Sequence, residues 1–378
     1  MADPLRPGPT TVPAVVALAG SHVVTPGGVL SPGVVEVEGG RIVEVAATTG
    51  AVPARVLVPG LVDLQVNGMD DVDVAVADGS DWDRLDALMC SSGVTTWCPT
   101  LVTGPLDGFA APLARVAAAA ARPGPRPAIA GAHLEGPFIG GRPGAHPPRW
   151  IVPPDREWLA TLPPIVRIVT LAPEVAGGID AIALLGGRGV LVALGHSGAD
   201  VDRARAGVDA GARLVTHGYN GMSGLDHRAP GMVGAFLTDD RVAVSLIADL
   251  VHVHPVALEV AFRCKPADRV VLITDAVAWR DGRVGGVVIE GDGSVARLAD
   301  GTLAGSVITL DRAVANVVAH CRVPLDRAVA AASTNPARLL GLDDRGALAA
   351  GRRADIAALD PDTLMCTATW VGGHQVHG

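Results

Sequence analysis

The sequence predicts an α/β fold: a (β/α)₈ barrel of the TIM type with a small β-sandwich domain built from both chain ends. Three observations lead to this prediction. Apolar, strand-like runs recur eight times over about 280 residues, and alanine-rich helical patterns separate most of them. Both chain ends instead show short strand patterns. The regular alternation predicts the barrel, and the two ends predict the smaller domain.

The chain ends predict the strands of the small domain. Segment 12–20 is apolar, but only Arg6 precedes it and Asp3 offsets that charge, so we interpret it as a first strand and not as a signal peptide. Gly39-Gly40 separates two alternating segments, which is typical of a hairpin. The further strands predicted at the ends are 34–38, 41–45, 354–359 and 367–371.

The middle of the chain predicts the barrel. The eight strands are expected at 60–66, 94–101, 128–134, 165–171, 190–194, 213–216, 242–247 and 270–273. The clearest helices are expected at 80–92, 106–122, 200–210 and 254–263. Near-continuous apolar strands suit a parallel sheet that is buried on both faces. We therefore expect residues 1–58 and 346–378 to form the small domain and residues 59–345 to form the barrel.

Composition excludes several classes of protein. The net charge of −9 over 378 residues argues against a nucleic-acid partner, because no excess of cations exists to neutralise phosphates. No run reaches the ~18 apolar residues that a membrane span needs, so no membrane partner is expected. The five cysteines are dispersed and odd in number, which is typical of reduced thiols and predicts a cytoplasmic location.

Polar residues follow most of the predicted barrel strands. Barrel enzymes carry their chemistry at the carboxyl ends of the strands. The polar residues at those ends are Gln65, Asn67, Thr100, His133, Glu135, Glu174, His196, His217, Asp249 and Asp275. A single histidine at a strand end is more often structural. Their repetition at one rim predicts an active site there.

Three of these residues match a catalytic metal site. Catalytic divalent metals favour three histidine and carboxylate ligands and leave one position open for water. Glu135, His196 and His217 supply such a set from three strands. Asp275 is left over and is suitably placed to accept a proton from water, whose pKa a metal lowers from ~16 toward ~7.

At these residues the chain resembles the amidohydrolase superfamily and, within it, the N-acetylglucosamine-6-phosphate deacetylases. The segments that carry the resemblance span nearly the whole chain: 58–68 (VPGLVDLQVNG), 133–138 (HLEGPF), 144–147 (GAHP), 195–197 (GHS), 216–222 (THGYNGM), 227–231 (HRAPG), 247–249 (IAD), 274–276 (TDA), 303–306 (LAGS), 333–336 (STNP) and 351–355 (GRRAD). The segments HLEGPF and THGYNGM are the most specific, whereas PGLVD marks only the superfamily.

The resemblance implies an activity and a role for each matching residue. It implies hydrolysis of the N-acetyl group of N-acetylglucosamine 6-phosphate, with Glu135, His196 and His217 as metal ligands and Asp275 as general base and then acid. His146 would contact the acetyl carbonyl, and His133 would position Glu135. The remaining substrate contacts implied are Ala145, Asn220, Gly221, Arg228, Asp249, His252, Leu303, Ala304 and Gly305. It also implies a homodimer or higher homo-oligomer in which the arginine reaches the phosphate from a neighbouring subunit.

Two departures from the superfamily's common pattern bear on the metal. Many amidohydrolases have two histidines after the first strand and a carbamylated lysine after the fourth. This chain has Gln65 and Asn67 in the first place, and its single lysine, Lys265, is far from the second. Hydantoinases, dihydroorotases and ureases are therefore disfavoured. One divalent ion per subunit is expected, with zinc the ion of choice for this ligand set.

Two other functions remain open from the sequence. The substrate could be the galactosamine epimer or another N-acyl amine, because the sequence does not reveal which sugar hydroxyl is recognised. From a different class, the chain could be a barrel-shaped interaction protein that has lost catalysis. Retention of Glu135, His196, His217 and Asp275 together speaks against the latter.

Overall fold

The computed structural model describes residues 15–378, so residues 12–14 of the predicted first strand lie outside the described part. The strands of the first part of the chain are β1 (Val16–Gly20), β2 (His22–Thr25), β3 (Gly28–Leu30), β4 (Gly33–Glu38), β5 (Arg41–Ala47), β6 (Val56–Pro59), β7 (Leu61–Val66), β8 (Gly68–Met69) and β9 (Val72–Asp73). Those of the middle are β10 (Val94–Val102), β11 (Ala128–Ile129), β12 (Ala132–Glu135), β13 (Val166–Leu171), β14 (Leu191–Leu194), β15 (Leu214–Val215), β16 (Ala243–Ile247) and β17 (Val270–Ile273). The last are β18 (Arg283–Val284), β19 (Val287–Val288), β20 (Glu290–Gly291), β21 (Ala296–Arg297), β22 (Ile356–Leu359), β23 (Cys366–Val371) and β24 (His374–His377).

Helices follow most of the barrel strands. They are α1 (Asp81–Ser91), α2 (Ala110–Ala120), α3 (Arg156–Thr161), α4 (Gly178–Gly187), α5 (Val201–Asp209), α6 (Gly231–Thr238), α7 (Pro255–Cys264), α8 (Leu310–His320), α9 (Leu325–Ala332) and α10 (Thr334–Leu339). Short 3₁₀ turns occur at Leu106–Phe109 and Pro148–Trp150. Asp155 and Asp200 cap α3 and α5 by accepting hydrogen bonds from backbone N–H groups of the first turn. Within residues 15–378, no helix has the length and apolarity required to span a bilayer.

The predicted barrel is confirmed. Eight parallel strands follow one another in chain order, from β7 and β10 through β12, β13, β14, β15 and β16 to β17. Their side chains are almost all buried, as expected for a parallel sheet covered by helices. Predicted and observed strands agree to within a few residues, with one exception. The third strand is interrupted after β11, where Gly131 takes a φ of 147° and a side chain would collide with Arg167.

The barrel closes between its first and last strands at one point rather than along a full ladder. The N–H of Asp275 donates to the carbonyl of Gln65 at 2.9 Å, and Val66 forms a parallel bridge with Ala276. Asp63, fully buried in β7, accepts a hydrogen bond from the hydroxyl of Thr274 at 2.7 Å. These contacts hold the first and eighth strand ends together, and the predicted site residues lie at those ends.

The small β domain from both chain ends is also confirmed. One sheet has the order β1-β4-β5, and the other has the order β24-β23-β22-β6-β2-β3. Strands β6 and β22 pair antiparallel, which joins residues 56–59 to 356–359. Leu18, Val35, Leu57, Ile356 and Trp370 are among the residues of the shared core. Because this pairing flanks the barrel on both sides in sequence, we propose the predicted boundaries, after residue 58 and before residue 346, for the described part of this domain.

An insertion that the sequence did not indicate follows the last barrel strand. Strands β18 and β19 form one short hairpin, and β20 and β21 form another. Val284, Ile289 and Ala296 are buried in a small apolar cluster with Val277 and Ala304. The insertion therefore packs on the segment that follows Asp275, beside the carboxyl ends of the strands.

Candidate active site

Four predicted residues meet at the carboxyl end of the barrel. Glu135 ends β12, and His196, His217 and Asp275 each lie two residues beyond a strand end. Glu135 Oε1 lies 3.1 Å from His196 Nε2 and 2.8 Å from His217 Nε2. The side chains of the four residues are buried. Residues up to 140 positions apart in the chain are thus brought together because parallel strands end at the same rim.

Three of these residues have a left-handed backbone. The φ angles are 48° at His196, 33° at His217 and 51° at Asp275. Such a conformation costs a non-glycine residue on the order of 1 kcal/mol or more, and it persists where surrounding contacts enforce it. Ser245 supplies one such contact, since its hydroxyl accepts the N–H of His217 at 2.9 Å. The backbone turns sharply where each side chain enters the site.

Asp275 is held by two amide side chains. Gln65 Nε2 and Asn67 Nδ2 donate to the same carboxylate oxygen, Oδ1, at 3.0 and 2.7 Å. Neither amide contacts Oδ2. Gln65 and Asn67 therefore present hydrogen-bond donors to Asp275, which orients the carboxylate and leaves Oδ2 to act on a proton.

Burial and charge shift the pKa values of the site. Burial would raise the pKa of Glu135, but hydrogen bonds from His196 and His217 outweigh it and hold that pKa well below its ordinary value. Burial, followed by the charge of Glu135, raises the pKa of Asp275 to about 7. Burial, followed by the neighbouring His196, lowers the pKa of His146 to about 3. The site thus pairs an ionised carboxylate with a neutral imidazole at His146.

Glu135, His196 and His217 could hold a metal ion. Each offers one ligand atom, and these atoms lie within 4.8 Å of one another. His196 Nδ1 lies 3.1 Å from the carbonyl of Arg142, which would hold the ring proton on Nδ1 when Nε2 gives its lone pair to a metal ion. Two imidazoles and a carboxylate converging on one point suit a divalent ion such as zinc. The donor set therefore fits the predicted metal.

The site opens into a cavity of about 280 Å³. Glu135, His196, His217 and Asp275 line its floor. The predicted substrate contacts that also line it are Ala145, His146, Asn220, Gly221, His252, Leu303, Ala304 and Gly305. The structure thus places these predicted substrate contacts around the same cavity as Glu135, His196, His217 and Asp275.

Two predicted substrate contacts do not line this cavity. Asp249 lies behind His252, and its Oδ2 accepts a hydrogen bond from His252 Nδ1 at 2.6 Å. Burial would raise the pKa of Asp249, but this bond outweighs it and lowers the pKa. Arg228 lies on an exposed loop, where its backbone N–H donates to Asp226. In a single chain, Asp249 supports His252 and Arg228 stays outside the cavity.

Some residues of the site escaped the sequence analysis. Thr103 lies 2.7 Å from His146, whereas Thr100, the threonine predicted at this strand end, donates within the barrel. The longer reach of β10, to Val102, could have indicated Thr103 as the first polar residue past that strand. Val287 and Arg297 of the insertion line the cavity, and no motif pointed to them.

His133 does not hydrogen-bond to the Glu135 side chain. Its Nδ1 lies 3.1 Å from the carbonyl of Leu64, and its Nε2 lies 2.8 Å from the hydroxyl of Thr170. Thr170 continues to the hydroxyl of Thr216 at 2.6 Å. His133 therefore links neighbouring barrel strands beneath the site, and the prediction that it positions the Glu135 side chain is not supported by a hydrogen bond.

Comparison with known proteins gives consistent matches. The amidohydrolase family profile matches residues 56–376. The N-acetylgalactosamine-6-phosphate deacetylase of Escherichia coli O157:H7 is 41% identical over 85% of this chain and 87% of its own length. The N-acetylglucosamine-6-phosphate deacetylase of Vibrio furnissii is 38% identical over 85% and 82%. A mutant N-acetyl-D-glucosamine-6-phosphate deacetylase of Mycobacterium smegmatis, solved in complex with N-acetyl-D-glucosamine-6-phosphate, has a TM-score of 0.89 and 35% identity, covering 97% of this chain and 100% of its own.

Proposed function

The chain belongs to the amidohydrolase family, and we propose that it hydrolyses the N-acetyl group of N-acetylglucosamine 6-phosphate to glucosamine 6-phosphate and acetate. The observation that carries this proposal is the meeting of Glu135, His196, His217 and Asp275 on the floor of one cavity. The names of relatives that match over most of the chain support the substrate.

The residues of the cavity divide the work of amide hydrolysis. Glu135, His196 and His217 would hold one divalent ion, with zinc expected, and that ion would supply Lewis-acid polarisation of the amide carbonyl. Asp275 accepts a proton from the attacking water as the oxygen–carbon bond forms. It then gives this proton to the sugar nitrogen as the carbon–nitrogen bond breaks. His146 donates a hydrogen bond to the carbonyl oxygen as its negative charge develops.

The phosphate end of the substrate requires a cation near the cavity mouth. Arginine matches phosphate oxygens with a planar fork. Arg228 is exposed and lies outside the cavity of its own chain, although Asn220 and Gly221 of the same stretch line it. Arg297 already lines the cavity of its own chain, and we propose in addition a homodimer in which Arg228 of one subunit reaches the cavity of the other. His252, held by Asp249, contacts the substrate from within the same chain.

The segments that border the cavity supply further contacts to the sugar. Ala145, Leu303, Ala304 and Gly305 contact the sugar from the loop and the segment that border the cavity.

All five cysteines are free thiols. They support a cytoplasmic enzyme of amino-sugar catabolism, because reduced thiols are typical of that compartment.

Release of acetate from purified, metal-loaded protein tests the proposal. We expect N-acetylglucosamine 6-phosphate to be hydrolysed with a kcat/KM at least about tenfold above that of unphosphorylated N-acetylglucosamine, since charge-assisted contacts contribute ~1.5–3 kcal/mol. D275N serves as the matched control for contaminating activity. Failure of the wild type to release acetate from any N-acetylhexosamine phosphate would refute the function.

The galactosamine epimer is the second candidate substrate. The E. coli relative with 41% identity bears the name of the galactosamine enzyme, which is the specific reason to test it. We expect N-acetylglucosamine 6-phosphate to have the higher kcat/KM of the two. A higher kcat/KM for N-acetylgalactosamine 6-phosphate would leave the proposed reaction unchanged and make the galactosamine epimer the preferred substrate.

A further inference from the structure

Thr103 makes a buried contact with His146. It lies directly after β10 and is fully buried, and its Oγ1 lies 2.7 Å from His146 Nδ1 and 3.3 Å from the carbonyl oxygen of Glu135. Gly136, with a φ of 84°, leaves room for this hydroxyl, because a Cβ there would lie 2.2 Å from Oγ1. The absence of a side chain at Gly136 thus provides the space that the Thr103 hydroxyl occupies.

The distances show that the closest polar partner of the Thr103 hydroxyl is His146 Nδ1. Thr103 has one O–H to donate, and the neutral ring of His146 carries one N–H. A distance of 2.7 Å to Nδ1 is that of a good hydrogen bond, whereas 3.3 Å to the Glu135 carbonyl is long for an O–H donor. Two arrangements satisfy these distances: the hydroxyl donates to Nδ1 and the ring proton resides on Nε2, or Nδ1–H donates to the hydroxyl, which donates to the Glu135 carbonyl.

We propose that Thr103 is a positioning residue, which fixes His146 in the Nε2–H tautomer so that Nε2 donates to the substrate carbonyl oxygen. His146 lines the cavity, and its Nε2 lies 4.0 Å from Glu135 Oε1, beside the metal-ligand set. A carbonyl oxygen needs a donor, and only the Nε2–H tautomer provides one on this side of the ring. This choice of tautomer rests on the proposed deacetylase function, whereas the measurement of the tautomer does not require activity.

Kinetics of Thr103 variants test the catalytic consequence. T103V removes the hydroxyl and should lower kcat by about 10- to 100-fold. This loss is smaller than the ~10²–10³-fold loss of kcat that removal of an oxyanion donor itself causes, because His146 is still present. KM and metal content should change little, and T103S should recover most of the kcat. T369V is the matched control, because Thr369, in β23 of the small domain, is equally buried and donates to the Cys90 carbonyl of α1, away from the site. T103V should add nothing in an H146A background.

Nitrogen-15 NMR of histidine-labelled, metal-loaded protein tests the tautomer without substrate. In the wild type, His146 should show a protonated Nε2 and an Nδ1 that accepts a hydrogen bond, and T103V should change that pattern. The signal is assigned by its loss in H146A. A proton on Nδ1 in the wild type, or T103V and T103S losing equal activity, would overturn the proposal. An inactive wild type with the expected tautomer would instead refute the proposed function and leave the Thr103 assignment standing.

Discussion

At the scale of single residues, Asp275 has the contacts expected of a base that must also act as an acid. Both amide donors engage Oδ1, so Oδ2 is the oxygen free to exchange a proton. Burial and the charge of Glu135 raise its pKa to about 7, close to the range in which proton transfer in both directions is efficient. It is not one of the three residues whose ligand atoms converge, which are Glu135, His196 and His217.

Replacing the base tests this assignment. D275N should lower kcat by ~10²–10⁴-fold, near the upper end because the residue acts in two steps. Metal content should stay near that of the wild type, because Glu135, His196 and His217 are intact. D326N, on the exposed start of α9, is the matched control and should retain full activity. A D275N enzyme with more than about a tenth of the wild-type kcat would contradict the role.

The contacts of Gln65 and Asn67 predict one metal ion per subunit. Their amide nitrogens donate to Asp275, in the place where many family members have histidine ligands. Two-metal sites hold their ions ~3.5–4 Å apart and normally need a bridging anion and more ligands. Mild dialysis should therefore leave about one ion per subunit in fully active enzyme, measured by elemental analysis. About two ions, with activity following the second, would contradict the prediction.

At the scale of elements, the closure between β7 and β17 determines where Asp275 lies. Asp63 accepts hydrogen bonds from the hydroxyl and N–H of Thr274, the residue before Asp275. Burial raises the pKa of Asp63 to about 7, although these hydrogen bonds oppose the rise. The carboxyl group that joins the two strands is thus neutral through much of the acidic range.

This closure predicts a pH dependence of stability. The folded-state pKa of Asp63, about 7, exceeds the ordinary value of 3.8, so its contribution is fully present below pH 3.8 and is lost as pH rises through about 7. Between pH 5 and pH 8 the wild type should lose roughly 2–3 kcal/mol from this group, at ~1.4 kcal/mol per pKa unit. D63N should lack that loss. Chemical denaturation of both proteins at the two pH values measures it, and parallel pH profiles would contradict it.

At the scale of the whole molecule, one cavity combines contributions from distant parts of the chain. The barrel supplies the floor, and the insertion after β17 adds Val287 and Arg297 to the wall. The small domain joins the two ends of the described chain through β6 and β22, and none of its residues within 15–378 lines the cavity. The proposed dimer would complete the phosphate end through Arg228, which is exposed in one chain.

Mixing inactive subunits tests the shared site. R228A and D275N should each be weakly active on the phosphorylated substrate. If Arg228 acts across the interface, a hybrid dimer has one site with both native side chains, and equal random mixing should restore about a quarter of wild-type activity. Activity is measured after subunit exchange in mild denaturant and dilution. No recovery above the two parents, with hybrid dimers present, would place Arg228 in its own site or outside the reaction.

The sequence by itself determined the barrel, the two-ended small domain and the set Glu135, His196, His217 and Asp275. It could do so because strand periodicity is local and because parallel barrel strands end at one rim, so residues after each strand must meet. The predicted reaction and the roles of these residues came from the resemblance to the amidohydrolase family. None of this required knowing the distance between two side chains.

Only the tertiary structure decided which side chains touch. That Gln65 and Asn67 share one oxygen of Asp275, and that Thr103 and not Thr100 meets His146, depends on backbone turns and rotamers at strand ends. The position of the insertion over the site likewise followed from its apolar contacts, which have no sequence period. Such facts are set by packing between residues far apart in the chain, where angles of a few tens of degrees decide whether a hydrogen bond forms.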